Sequence, residues 1–125
     1  MVWALMATRV TIANKMGWMQ ALISTIQGLV RSGNLLISDH GFDELTNDGI
    51  SVRDVVSGLG TAILIREYPD FQKGPRILVL ENDTAGEPVH AVWGIPRGKS
   101  EPAVLVTAYR PNPEDWESNF VRRLT

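Results

Sequence analysis

From Trp18 to Val30 the apolar residues Leu22, Ile23, Ile26, Leu29 and Val30 recur at i, i+1, i+4, i+7 and i+8, which is one stripe of an amphipathic helix. Ser32 and Gly33 end it. Ser38 or Asp39 can cap a second short helix carrying His40, Phe42 and Leu45, and Gly49 supplies a left-handed stop. Ser51 with Asp54 three residues later predicts the start of a third helix through Val55, Val56 and Leu59, closed by Gly58 and Gly60. The pattern then shortens to period two or to brief apolar runs. These predict strands over Ala62–Tyr68, Arg76–Glu81, Val89–Ile95 and Ala103–Tyr109, joined by Gly- or Pro-containing turns as an antiparallel meander. Asn112, Pro113, Glu114 and Asp115 then read as a helix start, and Trp116, Phe120 and Leu124 fall at i, i+4 and i+8 beyond it. Helices followed by strands argue for an α+β fold: N-terminal helices packed on a four-stranded antiparallel sheet, with a C-terminal helix.

A chain of 125 residues, 44% of them hydrophobic, has room for a single core, so the domain is expected over residues 19–125. Residues 1–18 stand apart as an N-terminal arm or a mis-called start. Arg9, Asn14 and Lys15 interrupt every apolar run there, which argues against a signal peptide or a membrane span. With no cysteine there is no disulfide framework and no thiol nucleophile, and a cytoplasmic location is the expectation. The net charge of −2 removes the strong basic footprint of a general nucleic-acid binder. Basic residues are scattered from Arg66 to Arg123, and only folding can gather them on one face.

No P-loop, G-x-G-x-x-G turn, H-E-x-x-H or G-x-S-x-G occurs, so neither a cofactor nor a metal is expected. Strand alternation offers a different constellation. It puts Leu64, Arg66 and Tyr68 on one face of the first strand and Glu67 on the other, His90 with Val92 and Gly94 in the third, and Thr107 and Tyr109 with Leu105 in the fourth. His90, Thr107, Tyr109 and Glu67, joined by His40, would supply an acid, a base and hydrogen-bond donors in one cleft, with Arg66, Arg76 and Arg110 to bind substrate. Such a set could assist attack of an RNA 2′-hydroxyl on the adjacent phosphate without a metal. Each residue also has a structural reading: a strand histidine as a hydrogen-bonded core group, His40 as part of a cap, Glu67 as a solvated strand end.

The runs Ser38-Asp39-His40, Asp48-Gly49-Ile50-Ser51, Glu67-Tyr68-Pro69-Asp70, Val89-His90-Ala91-Val92 and Thr107-Ala108-Tyr109-Arg110-Pro111, with Trp116, resemble a small bacterial domain-of-unknown-function family that is distantly similar to RelE-like ribonuclease toxins. The resemblance covers about Met19 to Trp116. It implies helices on a four-stranded antiparallel sheet, an RNA substrate, a neighbouring antitoxin as partner, and functional positions at His40, Glu67, His90 and Thr107 to Tyr109. The chain departs from the pattern in its acidic balance and in Asn47 and Asp48, where relatives carry a basic residue. A non-catalytic interaction module on the same scaffold is the alternative, docking a partner around Trp116 and Phe120 or forming a homodimer through the N-terminal helix.

Overall fold

The computed structural model describes residues 22–124; the N-terminal arm expected over residues 1–18 lies outside them. Helix α1 covers residues 22–31 and is followed by strand β1 (Leu35–Ile37), helices α2 (Asp39–Asn47) and α3 (Val52–Gly58), and a 3₁₀ turn over Leu59–Thr61. Strands β2 (Ile63–Tyr68), β3 (Arg76–Asn82), β4 (Pro88–Gly94) and β5 (Ala103–Tyr109) complete an open five-stranded sheet in the order β1-β5-β4-β3-β2. The α+β class and the antiparallel meander of four strands are present. A fifth strand was not expected: β1 pairs in parallel with β5, Leu36 opposite Val104. Three residues are too few to show a period, and their partner lies far along the chain.

The predicted caps form. Ser38 Oγ accepts from the Gly41 amide at 2.9 Å and Ser51 Oγ from the Asp54 amide at 3.2 Å, each satisfying one free donor of a helix start. Ser38 does more than cap. Its hydroxyl donates to the Val106 carbonyl at 2.9 Å, and its amide to the Leu105 carbonyl at 3.0 Å. The first turn of α2 therefore sits directly on the β5 backbone; a Cβ on Gly41 would come within 2.9 Å of the Leu105 carbonyl oxygen. At its other end, Asp48 Oδ2 accepts the Arg110 amide at 2.9 Å. Together β1 and α2 cover the edge of β5 that would otherwise offer unpaired groups.

Two register shifts revise the expected strand faces. One falls between Leu64 and Arg66, the other opposite the Val92/Trp93 step, where Val106 is left over. Each bulge turns the residues beyond it. Leu64 consequently packs on the core while Arg66, opposite Leu78, faces the other way. Leu105 lies opposite Trp93 in the core and not with Thr107 and Tyr109, which face Val92 and His90.

One face of the sheet, carrying Ile77, Val79, Ala91, Trp93 and Leu105, joins the helices through Ile26, Leu45, Val55 and Leu59 in a single core. We refer to it as the helix face and to the opposite one as the open face. The expected C-terminal helix does not form. Asn112 begins one turn, accepting the Glu114 amide on Oδ1 and the Asp115 amide on its carbonyl, both at 2.9 Å, and the chain then doubles back. Trp116 bridges Arg123, the Glu117 amide bonds the Arg122 carbonyl at 2.8 Å, and Asn119 Oδ1 takes the Val121 and Arg122 amides. That asparagine competes with the helix for backbone donors, and Phe120 adopts a left-handed φ of 58° at the reversal. The reversal over residues 115–124 is a strap across the open face.

Beneath α3, on the helix face, Glu81 is 2% exposed; Trp93 Nε1 donates to its Oε2 at 3.2 Å while Oε1 has no partner among the described residues. Burial pushes this carboxyl up to about 8, against the smaller opposing effect of the Trp93 bond. Between its ordinary 4.5 and about 8 the folded chain holds a proton that the unfolded chain has lost, so stability falls as pH rises through that window. His90 acts oppositely, but only below its ordinary 6.5, because burial holds its folded value lower. Raising pH from 6.5 to 8 should therefore lower the unfolding free energy by about 1 kcal/mol per pH unit. Glu81→Gln should flatten this slope while retaining the Trp93 bond. Thermal unfolding of both proteins across that range checks it, and parallel slopes would refute it.

Candidate functional site

The open face owes its character to alternation. Leu78 and Leu80 of β3, His90 and Val92 of β4, and Thr107 and Tyr109 of β5 face it, with Arg66 and Tyr68 from the edge strand. The strap roofs part of this surface and leaves a cavity of about 390 Å³, whose walls include Arg66, Tyr68, Tyr109, Trp116, Arg122 and Arg123. Aromatic rings and guanidinium groups thus share its wall. Arg123 lies 5.8 Å from the Trp116 ring centre and Arg66 6.0 Å from that of Tyr68. Among the described residues none of the three arginines pairs with a carboxylate.

His90 lies behind the cavity wall, fully buried. Its Nε2 is 2.7 Å from the Phe120 carbonyl, an acceptor only, so this nitrogen carries the proton and donates. Nδ1 of the neutral ring is then an acceptor, and the Tyr109 hydroxyl donates toward it over a long 3.4 Å. The ring also meets Trp116 edge-on, with centroids 4.5 Å apart. Burial lowers the His90 pKa and the Phe120 bond opposes this only in part, so the imidazole is neutral at pH 7. Burial raises that of Tyr109, helped by nearby Tyr68 and opposed by Arg123, so its phenol keeps its proton.

The five expected catalytic side chains do not share one cleft. His90, Thr107 and Tyr109 come together on the open face, although Thr107 does not line the cavity. Glu67 stands opposite Ile77 on the helix face; its carboxylate oxygens are buried without a partner among the described residues, and desolvation raises its pKa. His40 is on the outer surface of α2, its side chain 68% exposed and 3.7 Å from Glu44. Of the expected binding arginines, Arg66 lines the cavity and Arg76 a neighbouring hollow. Arg110 is committed elsewhere: its guanidinium pairs with Asp83 at 2.7 Å and reaches the Pro88 carbonyl at 3.3 Å, tying the β3–β4 turn to the end of β5. Asp83, which also takes the Ala85 and Glu87 amides, is held below the ordinary aspartate range, mainly by the Glu87 amide and then by Arg110.

Tyr68, Trp116, Arg122 and Arg123 are the site residues that sequence reasoning did not assign. The signal available was the proximity of Trp116 to Arg122 and Arg123 in the sequence, where the expected helix took Trp116 into an apolar stripe. A hollow of about 430 Å³ between α1 and α3 is lined by Val30, Val56, Leu59 and Gly60 with Gln27, Arg31 and Ser57, and the amide of its Gln27 is bonded to the Leu59 carbonyl at 3.0 Å. It offers little chemistry beside the cavity under the strap.

Because His90 supplies both a hydrogen bond and a ring contact to the strap, His90→Phe should separate the two. The phenyl ring keeps the packing on Trp116 but leaves the Phe120 carbonyl unpaired, at a cost of about 1–3 kcal/mol. Amide exchange in residues 115–124 should accelerate far more than in β3 and β4. Equal acceleration throughout the sheet would mean that His90 serves the core alone.

Comparison with curated proteins and with solved structures gives no match for this chain. A family model, described as "Domain of unknown function (DUF4258)", matches residues 37–110, from the end of β1 to the Arg110 clamp. The match takes in Ser38, Asp48, His90 and Tyr109 and stops short of the strap. It spans more than half of the sequence, and the chain belongs to this DUF4258 family of domains of unknown function.

Proposed function

We propose that the domain binds single-stranded RNA in the cavity under the strap and cleaves it without a metal, as a toxin-like endoribonuclease. The observation that carries this reading is the cavity itself, in which Arg66, Arg122 and Arg123 stand among the rings of Tyr68, Tyr109 and Trp116. Guanidinium groups suit phosphate oxygens, and aromatic faces suit unstacked bases, the pairing that single-strand recognition uses.

Tyr109 and His90 supply the proton chemistry. As the 2′-oxygen attacks the adjacent phosphorus, Tyr109 accepts the 2′-hydroxyl proton and passes its own to His90 Nδ1. The imidazolium so formed keeps its Nε2 bond to the Phe120 carbonyl. The P–O5′ bond breaks, the departing oxygen takes a proton from solvent, and the products carry 2′,3′-cyclic phosphate and 5′-hydroxyl ends. The arginines stabilise charge developing on the phosphorane. His40 and Glu67, remote from this cavity, have no part in the step. The scheme needs neutral His90, which its lowered pKa provides at pH 7, so the rate should be level above neutrality and fall only in acid, below the ordinary histidine value of 6.5.

A protein-docking reading draws support from a different place than Trp116 and Phe120, which are half-buried in the strap. Leu36 on the edge strand and Phe42 on α2 are 60% and 55% exposed, an apolar surface suited to an antitoxin or a second copy.

Incubation of the full chain with end-labelled single-stranded RNA in EDTA tests the nuclease. Tyr109→Phe should retain binding within about threefold and lose cleavage by about a hundredfold. Arg123→Gln should weaken binding and lower the salt slope by about 0.7 for the phosphate contact removed. Cleavage undiminished in Tyr109→Phe would overturn the relay, and a folded wild type that neither binds nor cuts would overturn the reading.

A further inference from the structure

The open face holds a second hollow, of about 160 Å³, beside the first and away from the strap, lined by Lys73, Arg76, Gly94, Val104 and Val106 among others. The two are contiguous through the ladder. Tyr68, which lines the first cavity, is the direct cross-strand partner of Arg76, which lines the second. One step of the same face separates this pair from Arg66 and Leu78, roughly 7 Å along the strand.

Gly94 lines the hollow. A Cβ there would come within 3.0 Å of the Pro75 carbonyl oxygen and 3.1 Å of Arg76 Cγ, so the absent side chain leaves room for the arginine stem. The Arg76 guanidinium then rests 4.0 Å from the centre of the Phe71 ring, which is itself 44% exposed. Partial burial lowers the Arg76 pKa from its very high ordinary value and leaves the group charged. Neither Arg76 nor Lys73 pairs with a carboxylate among the described residues. The loop that carries Phe71 and Lys73 is held in place: the Gly74 amide bonds the Phe71 carbonyl at 2.9 Å, the Arg97 amide the Lys73 carbonyl at 3.0 Å, and the Ile95 amide the Pro75 carbonyl at 3.1 Å. A pre-set cation stacked on an exposed ring binds without first ordering its loop.

We infer that Phe71, Lys73 and Arg76 form a second nucleotide subsite continuous with the cavity under the strap. The ligand is then a single RNA strand of two or more nucleotides lying along β2 and β3, rather than a mononucleotide. This rests on the RNA reading of the first cavity and adds to it the direction and minimum length of the strand. Phe71 and Arg76 offer a stacking platform to the second base, and Lys73 with Arg76 takes the phosphate between.

Fluorescence anisotropy with 2′-O-methyl uridine oligomers, which lack the attacking hydroxyl and stay intact, from a mononucleotide to a hexamer, tests it on the full chain at fixed salt. Wild-type affinity should step up when the ligand grows beyond one nucleotide. Phe71→Ala and Arg76→Gln should each reduce that step by about fivefold or more while leaving mononucleotide affinity unchanged. Arg123→Gln should weaken every length alike. If oligomer affinity ignores both Phe71→Ala and Arg76→Gln yet still falls in Arg123→Gln, the second subsite is wrong and the first cavity stands. Equal affinity for a duplex would also overturn it, since a duplex cannot offer unstacked bases, and absence of binding at any length would overturn both readings.

Discussion

A buried imidazole can donate one hydrogen bond and accept one, and on the open face of this sheet that pair of bonds organises everything above it. Nε2 of His90 is committed to the Phe120 carbonyl, at the point where the strap reverses through a left-handed φ. That bond satisfies a carbonyl which the reversal leaves without a backbone partner, and it fixes the tautomer. The remaining lone pair then faces Tyr109, and the ring edge seats Trp116. Strap position, cavity shape and the polarity of the Tyr109 hydroxyl all follow from where one histidine places its proton.

The two faces solve the problem of a buried ionisable group in the same way. On the helix face Glu81 is pushed toward its protonated form, and on the open face His90 toward its neutral form. At neutral pH the sheet therefore carries little charge at either site, despite an acid and a base among its least exposed residues. The cost of burial appears instead as opposing pH slopes. Between these faces, Ser38 joins α2 to the sheet through the Val106 carbonyl, the group that the β5 bulge releases from the ladder. The same bulge aims Thr107 and Tyr109 outward, so the cap and the site share one local irregularity.

Much of this was legible in the sequence and the rest was hidden for definite reasons. Ser38 and Ser51 announced their helices because a capping side chain and the amide it accepts are close in sequence. The strands from Ala62 onward followed from period and turn residues. Strand β1 was hidden because its partner is remote, and the strand faces were displaced because a bulge leaves no mark in the alternation that it breaks. The C-terminal segment carried a genuine helix start and a genuine apolar stripe. Tertiary packing of Trp116 on His90, aided by Asn119, prevailed over both. Grouping His90 with Tyr109 survived these shifts because the His90–Tyr109 and Val92–Thr107 pairs lie on the same side of the β5 bulge. Glu67 did not join them, since it shares its face with Ile77, and His40 is held outside the sheet by α2.

Net charge is a poor guide to such a surface because it sums groups that do not act on the same region of solvent. Asp39, Asp43 and Glu44 belong to α2, Asp48 is its C-cap and Asp54 belongs to α3, at the edge and on the helix face of the sheet. Arg66, Arg76, Arg122, Arg123 and Lys73 line the hollows of the open face. Exposed charges farther apart than the Debye length, about 8 Å at physiological salt, are largely screened from one another, so a phosphate in the hollows responds mainly to the cations that line them. The strap does bring Asp115 and Glu117 close in sequence to Arg122 and Arg123, but among the described residues neither acid pairs with either arginine. The total of −2 and a locally cationic face are thus compatible, and the folding of the strap, which contributes two of the cavity's three guanidinium groups, is what makes the difference.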